Sequence, residues 1–187
     1  MQPNSGEFDT KVAVLVDGEN ADPYILDYAL RVAAQCDRVM LRRGFGSHTA
    51  LAKKWQTVLV QQAFTPCLQY AYAAGKTTSD IALAMDAIEA SFDQRADTFC
   101  LVTSDSDFAG LCRKLRDCGA TVHVIGEAKT PEALCNASDQ SFQWMPPSVH
   151  SRPRRPQALR RNSQLLLHRA SPSCPQVRRQ RGQAAGG

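Results

Sequence analysis

Five short runs rich in β-branched and apolar residues punctuate the chain, and helical patterns fill the gaps between them. The runs are Val12 to Val16, Arg38 to Arg42, Cys67 to Tyr70, Phe99 to Thr103 and Val122 to Ile125. Parallel strands need crossover connections, so this alternation predicts an α/β domain around a parallel sheet. Ile81, Met85, Ile88 and Phe92 recur at helical spacing, as do Phe108, Leu111, Cys112 and Leu115. Both sets predict amphipathic helices that pack those residues on the sheet. Asp22-Pro23 reads as a cap and first-turn proline for a helix through about Ala34, and Gly119 as the residue that ends the fourth helix. Trp55, near Val58 and Leu59, is assigned to the core rather than to base stacking.

With 187 residues and 43% apolar content, the chain can bury one good core. Its formal charge of +4 conceals a split. All 18 acids lie at or before Asp139, whereas the segment from Pro146 onward holds nine Arg and no Lys or acid; the first 145 residues therefore carry 13 basic and 18 acidic groups, a net of −5. The expected organisation is an N-terminal arm over 1–10, a folded domain over 11–145 and a tail over 146–187. The tail's Arg, Pro, Ser and Gln cannot bury enough apolar surface to offset ordering entropy, so it is expected to be disordered. The seven cysteines include no C-x-x-C pair, and neither a zinc framework nor a disulfide scaffold is expected. No signal-like N-terminus and no membrane-length apolar stretch is read, and a cytoplasmic setting is expected.

In an open parallel sheet, ligands bind beyond the carboxyl ends of the strands, where strand order reverses. Asp17 closes the first run, Asp105 and Asp107 follow the fourth, and Asp80 opens a helix after the third, so four acids share one edge. Two carboxylates about 4 Å apart repel by roughly 4 kcal/mol at an effective dielectric of about 20, and a cation relieves that repulsion. Oxygen donors favour Mg²⁺ or Mn²⁺. Plainer roles exist for each residue. Asp17 to Asn20 is an Asx-rich turn, Thr77 to Asp80 resembles a capping box, and Asp107 is a plausible cap for a helix starting at Phe108. Independent caps need not converge on one edge, and the convergence favours a site. Lys76, Arg42, Arg43 and Ser104 are candidate substrate contacts, with His48 nearby; solvated loop positions are the competing reading. Asp86 lies about 9 Å further along its helix than Asp80 and is assigned a structural role.

Val14-Leu15-Val16-Asp17-Gly18-Glu19-Asn20, Lys76 to Ala87 (KTTSDIALAMDA), Leu101 to Phe108 (LVTSDSDF) and Gly119 to Gly126 (GATVHVIG) resemble, in order, the motifs of the NYN domain in its LabA-like branch. The resemblance spans about Lys11 to Trp144. It implies a PIN-like fold with strand order 3-2-1-4-5 and a divalent-metal nuclease acting on RNA. It further implies that Asp17, Asp80 and Asp105 are metal ligands, that Asn20 supports or orients them, and that Asp107 is an acid of the same site. Many relatives have Gly where this chain has Ser104. Many LabA-like proteins continue into a LOTUS RNA-binding domain, whereas an Arg/Pro-rich segment follows here. The expected partner is single-stranded RNA, with a homodimer left open and no membrane. The alternatives are a catalytically silent RNA-binding or protein-interaction module on the same fold, and a Toprim-like or haloacid-dehalogenase-like phosphotransfer domain. The haloacid-dehalogenase-like option is disfavoured because the first run ends Asp17-Gly18-Glu19 rather than D-x-D, and the Toprim-like one would need a glutamate in its first motif, which only Glu19 could supply.

Overall fold

The computed structural model describes residues 10–70 and 78–146. The chain divides into two units, Met1–Ser148 and Val149–Gly187. The second unit lies outside the described residues, as does Lys76; the disorder expected of the tail falls there too, apart from Pro146.

The described elements run in chain order. β1 (Lys11–Asp17) leads through α1 (Ile25–Cys36) to β2 (Arg38–Ser47), and a π-helical segment, Ala50–Trp55, continues into α2 (Gln56–Gln61). β3 (Thr65–Gln69), α3 (Thr78–Phe92) and β4 (Thr98–Val102) follow. A 3-10 turn, Ser106–Phe108, opens α4 (Ala109–Asp117), and β5 (Thr121–Glu127), α5 (Glu132–Ala137) and β6 (Gln140–Trp144) complete the domain.

All strand pairs are parallel, in the order β3-β2-β1-β4-β5-β6. The five expected strands take the expected order in a PIN-like α/β sheet, and β6 adds a sixth at the edge. β6 is short and alternates polar and aromatic residues, QSFQW, with only Trp144 buried. Such a half-covered edge strand lacks the continuous apolar run that marks the central ones.

β1 shows why the sheet needs helices on both faces. Its residues Val12 to Asp17 are all buried. Ala13 and Leu15 enter one core with Leu83, Ala87, Phe99, Leu101, Phe108 and Leu115 from α3, β4 and the α4 region. Val12, Val14 and Val16 enter the other with Ile25, Leu26, Val32, Trp55 and Leu59, from α1 and the Ala50–Gln61 helical stretch. The two-residue period of the strand thus sends alternate side chains into separate layers. Trp55 is fully buried, as expected of a core residue.

Three expectations need correction. α3 does not pack its largest apolar residues on the sheet: Ile81, Met85 and Phe92 are 61, 66 and 67% exposed, and Ile88 is partly buried. Its buried face is Ser79, Leu83, Ala87 and Ala90, where small side chains let the helix lie close to the strands. β2 runs on to Ser47, past the expected end at Arg42, so Arg42 and Arg43 both stand within the strand, level with Val14 and Leu15. Asp107 does not cap the following helical segment; Asp105 does, its Oδ1 accepting from the Asp107 N–H at 3.0 Å. At the other end of α4, Gly119 takes φ of 87°, the left-handed turn expected of a terminating glycine.

Candidate active site

The carboxyl ends of β1 and β4 are adjacent, with Val16 level with Val102. One residue further on, Asp17 and Thr103 continue the alternation of Leu15 and Leu101 and face the α3 side of the sheet. The Thr103 hydroxyl donates to Asp17 Oδ2 at 2.8 Å, a buried bond between the two strand ends. Thr103 was not anticipated from the sequence, although it falls two residues after Leu101 just as Asp17 falls two after Leu15.

The D-G-E-N turn then folds around the Asp17 carboxylate. Oδ1 accepts from the Glu19 and Asn20 backbone N–H groups at 3.1 and 3.3 Å, and Oδ2 also accepts from Asn20 Nδ2 at 2.9 Å. Asp17 is 1% exposed, and these donors satisfy the oxygens of its buried carboxyl group. Gly18 is required by close approach, since a Cβ there would sit 2.7 Å from the Phe45 carbonyl and 3.0 Å from Leu51 Cδ2. The turn is pinned from behind by Trp55, whose indole N–H donates to the Gly18 carbonyl at 2.9 Å. From the side, Glu19 Oε1 accepts from the Ser47 N–H at 2.7 Å.

Asn20 links the two acidic strand ends, because its Nδ2 also lies 3.4 Å from Asp105 Oδ2. Thr103 serves both sides, its Oγ1 accepting from the Asp105 N–H at 3.1 Å. Asp105 caps the 3-10 turn through Oδ1, which leaves Oδ2 beside Asn20. Asp107, exposed in the first turn, lines with Asp80 an open groove of roughly 390 Å³ between α3 and α4, bordered by Ile81, Ile88, Leu111 and Lys114.

Asp80 registers the density of charge. Its carboxyl is pushed up to about 6, first by burial and then by the negative charges of Asp17, Asp105 and Asp107; a contact from Ser79 pulls the other way. Four acids from three elements therefore sense one another. Among the described residues, none of the four forms an ion pair with Lys or Arg. Oxygen donors in excess, with no ion-paired basic side chain among the described residues, suit a hard divalent cation.

Of the remaining candidates, Arg42, Arg43 and Ser104 are engaged elsewhere. The Arg43 guanidinium is paired with Asp86, which α3 directs toward β2, while Arg42 Nη1 donates to the Gln62 carbonyl at 3.2 Å. Ser104 ties the end of β4 to the segment after β5, its hydroxyl accepting from the Glu127 N–H and from Thr130 Oγ1, both at 3.0 Å. His48 is exposed just past β2. Lys76 lies outside the described residues.

Residues 11–145 match the family model described as the NYN domain. An uncharacterized protein of Methanocaldococcus jannaschii is 31% identical over 134 residues, covering 69% of this chain and 53% of that protein. The chain thus spans about half the length of this curated relative. A crystal structure of a protein of unknown function from Vibrio parahaemolyticus is similar in fold, with a TM-score of 0.61 and 22% identity over 78% of this chain and 97% of that one.

Proposed function

The chain belongs to the NYN-domain family of the PIN-like nuclease superfamily, and from that premise we propose that it is a divalent-metal-dependent ribonuclease of the LabA-like branch, hydrolysing phosphodiester bonds in single-stranded RNA in the cytoplasm. The observation that carries the reading is the convergence of Asp17, Asp80, Asp105 and Asp107, where burial and then the negative charges of the other three push the Asp80 carboxyl up to about 6. Nucleases of this superfamily usually use divalent metals, and Asp17, Asp80, Asp105 and Asp107 would hold Mg²⁺ or Mn²⁺.

The chain's own residues have distinct tasks in this scheme. Asp17 presents a carboxylate whose direction is fixed by Thr103, Asn20 and the turn amides, so little reorganisation accompanies ligation. Asn20 sets the separation of Asp17 from Asp105 by touching both. Asp80 surrenders its proton when positive charge arrives, which couples occupancy of the site to pH. When bound, a divalent cation supplies an activated water and offsets charge on the phosphate oxygens during in-line hydrolysis. The groove between α3 and α4 offers the scissile strand a path, with apolar Ile81, Ile88 and Leu111 against bases and Lys114 beside phosphates.

The test is incubation of the purified full chain with end-labelled single-stranded RNA, with and without Mn²⁺, beside an Asp105→Asn control. Cleavage that needs the metal and disappears in the control is the expected result. RNA binding without metal-dependent cleavage would instead identify a silent binding module.

A further inference from the structure

A second group of metal-ligating side chains lies on the other face of the sheet. Cys36 is the last residue of α1, Cys100 is the central residue of β4, and His123 is the β5 residue level with it. Cys100, Val102 and Ile125 belong to the core beneath α1, and Cys36 packs against it, whereas Phe99, Leu101, Val122 and Val124 belong to the core beneath α3 and α4. Alternation along β4 and β5 therefore turns Cys100 and His123 away from the acidic site. The ligating atoms of the three residues all lie within 4.8 Å of one another, and Cys36 Sγ is 3.3 Å from His123 Nδ1.

We propose that Cys36, Cys100 and His123 form a Zn²⁺ site that ties the end of α1 to β4 and β5. Zn–S bonds of about 2.3 Å and Zn–N bonds of about 2.0 Å at a tetrahedral angle put sulfur and nitrogen about 3.5 Å apart and two sulfurs about 3.8 Å apart. The Cys36–His123 spacing of 3.3 Å is close to the first of those edges, and the other ligand atoms lie within 4.8 Å, a gap that an ion can close by drawing the side chains together. Two thiolates and a neutral imidazole balance the charge of Zn²⁺, which matters where the neighbours are Val12, Val14, Val32 and Phe142. Binding exchanges the two S–H bonds for Zn–S bonds and releases both protons to solvent. Cys100 and His123 are buried, whereas half-buried Cys36 gives the ion its way in from solvent. Sequence spacing gives no hint of this group, because each ligand comes from a different element.

Titration of the reduced, metal-free full chain with Co²⁺ tests the site, because thiolate-to-cobalt charge transfer absorbs in the near ultraviolet and carboxylate ligation at the acidic site does not. The expected result is a thiolate band that saturates at about one equivalent, is displaced by Zn²⁺, and survives both Asp105→Asn and Cys118→Ser. Cys36→Ser should abolish the band, and His123→Asn should weaken Co²⁺ binding by more than about tenfold. Zn²⁺ at about 100 times its Kd should also raise the Tm of the wild type by several degrees and leave that of Cys36→Ser unchanged. Circular dichroism checks that each variant is folded. Absence of the band in folded wild-type protein, or its persistence in folded Cys36→Ser, overturns the proposal.

Discussion

At the residue scale, Asp17 and Asp105 hold similar positions at adjacent strand ends and should respond differently to substitution. Asp17 is buried and accepts four hydrogen bonds, two of them from Asn20. An Asn at that position presents an NH₂ to donors it cannot satisfy, so Asp17→Asn should lose cleavage and also about 1–3 kcal/mol of stability. Asp105→Asn can keep the amide-accepting oxygen of its cap, and should lose cleavage with little change in urea midpoint. Equal, undiminished cleavage by both folded variants would contradict the site. Asp80 adds a pH dependence. An unfolded Asp gives up its proton near pH 3.9, whereas the folded protein retains that of Asp80 up to about 6. The associated stability is complete below about pH 4 and is lost as pH rises through about 6. For a half-exposed carboxyl, screening limits the difference to roughly 1 kcal/mol. Metal-free wild type should therefore lose more Tm between about pH 5 and 7 than Asp80→Asn does, and Mn²⁺ should reverse that loss in the wild type alone. The acids could be seen in the sequence because strand ends and loop motifs are local. The tie from Thr103 could not, because its partner is a residue brought near only by β1–β4 pairing.

At the scale of elements, α3 shows where sequence pattern and structure part company. Counting large apolar residues selects Ile81, Met85 and Phe92, but the helix packs through Leu83, Ala87 and Ala90 because small side chains fit its close approach to the sheet. Leu83→Ala should cost about 2–4 kcal/mol in urea denaturation, whereas Met85→Lys should change stability by less than about 0.5 kcal/mol. α4 followed its pattern because Leu111, Cys112 and Leu115 are both its apolar residues and its buried ones. The geometry of α3 also settles what Asp86 touches. It reaches Arg43 on β2, and burial raises its carboxyl more than the guanidinium lowers it. Removing the cation leaves a poorly solvated carboxylate whose Oδ2 has no hydrogen-bond partner. Arg43→Met should accordingly destabilise by about 1–3 kcal/mol more than Asp86→Asn, and Asp86→Asn should leave Mn²⁺ affinity, read by calorimetry, near that of the wild type. A drop in that affinity would mean that Asp86 belongs to the proposed metal site after all. β6 and α5 escaped notice because short elements with one buried face carry little periodic signal.

For the molecule as a whole, charge is divided in a way that bears on how RNA would be held. The first 145 residues carry a net charge of −5, and the segment from Pro146 onward carries nine Arg without an acid. An acidic domain repels a polyanion, so on the proposed reading long-range attraction would fall to the Arg-rich segment. Arginines that contact phosphates neutralise charge but do not by themselves read bases, which predicts salt-sensitive binding with little sequence preference. If about half of the nine engage a single strand, the logarithm of affinity should fall with the logarithm of salt at a slope of roughly −3. Truncation after Met145 should flatten that slope and weaken binding, while turnover of saturating RNA stays close to that of the full chain because the acidic cluster is intact. Fluorescence anisotropy across a salt series, paired with single-turnover cleavage at saturation, separates the two effects. A slope unchanged by truncation would assign RNA attraction to the folded domain, with Lys114 of the α3–α4 groove the first residue to test.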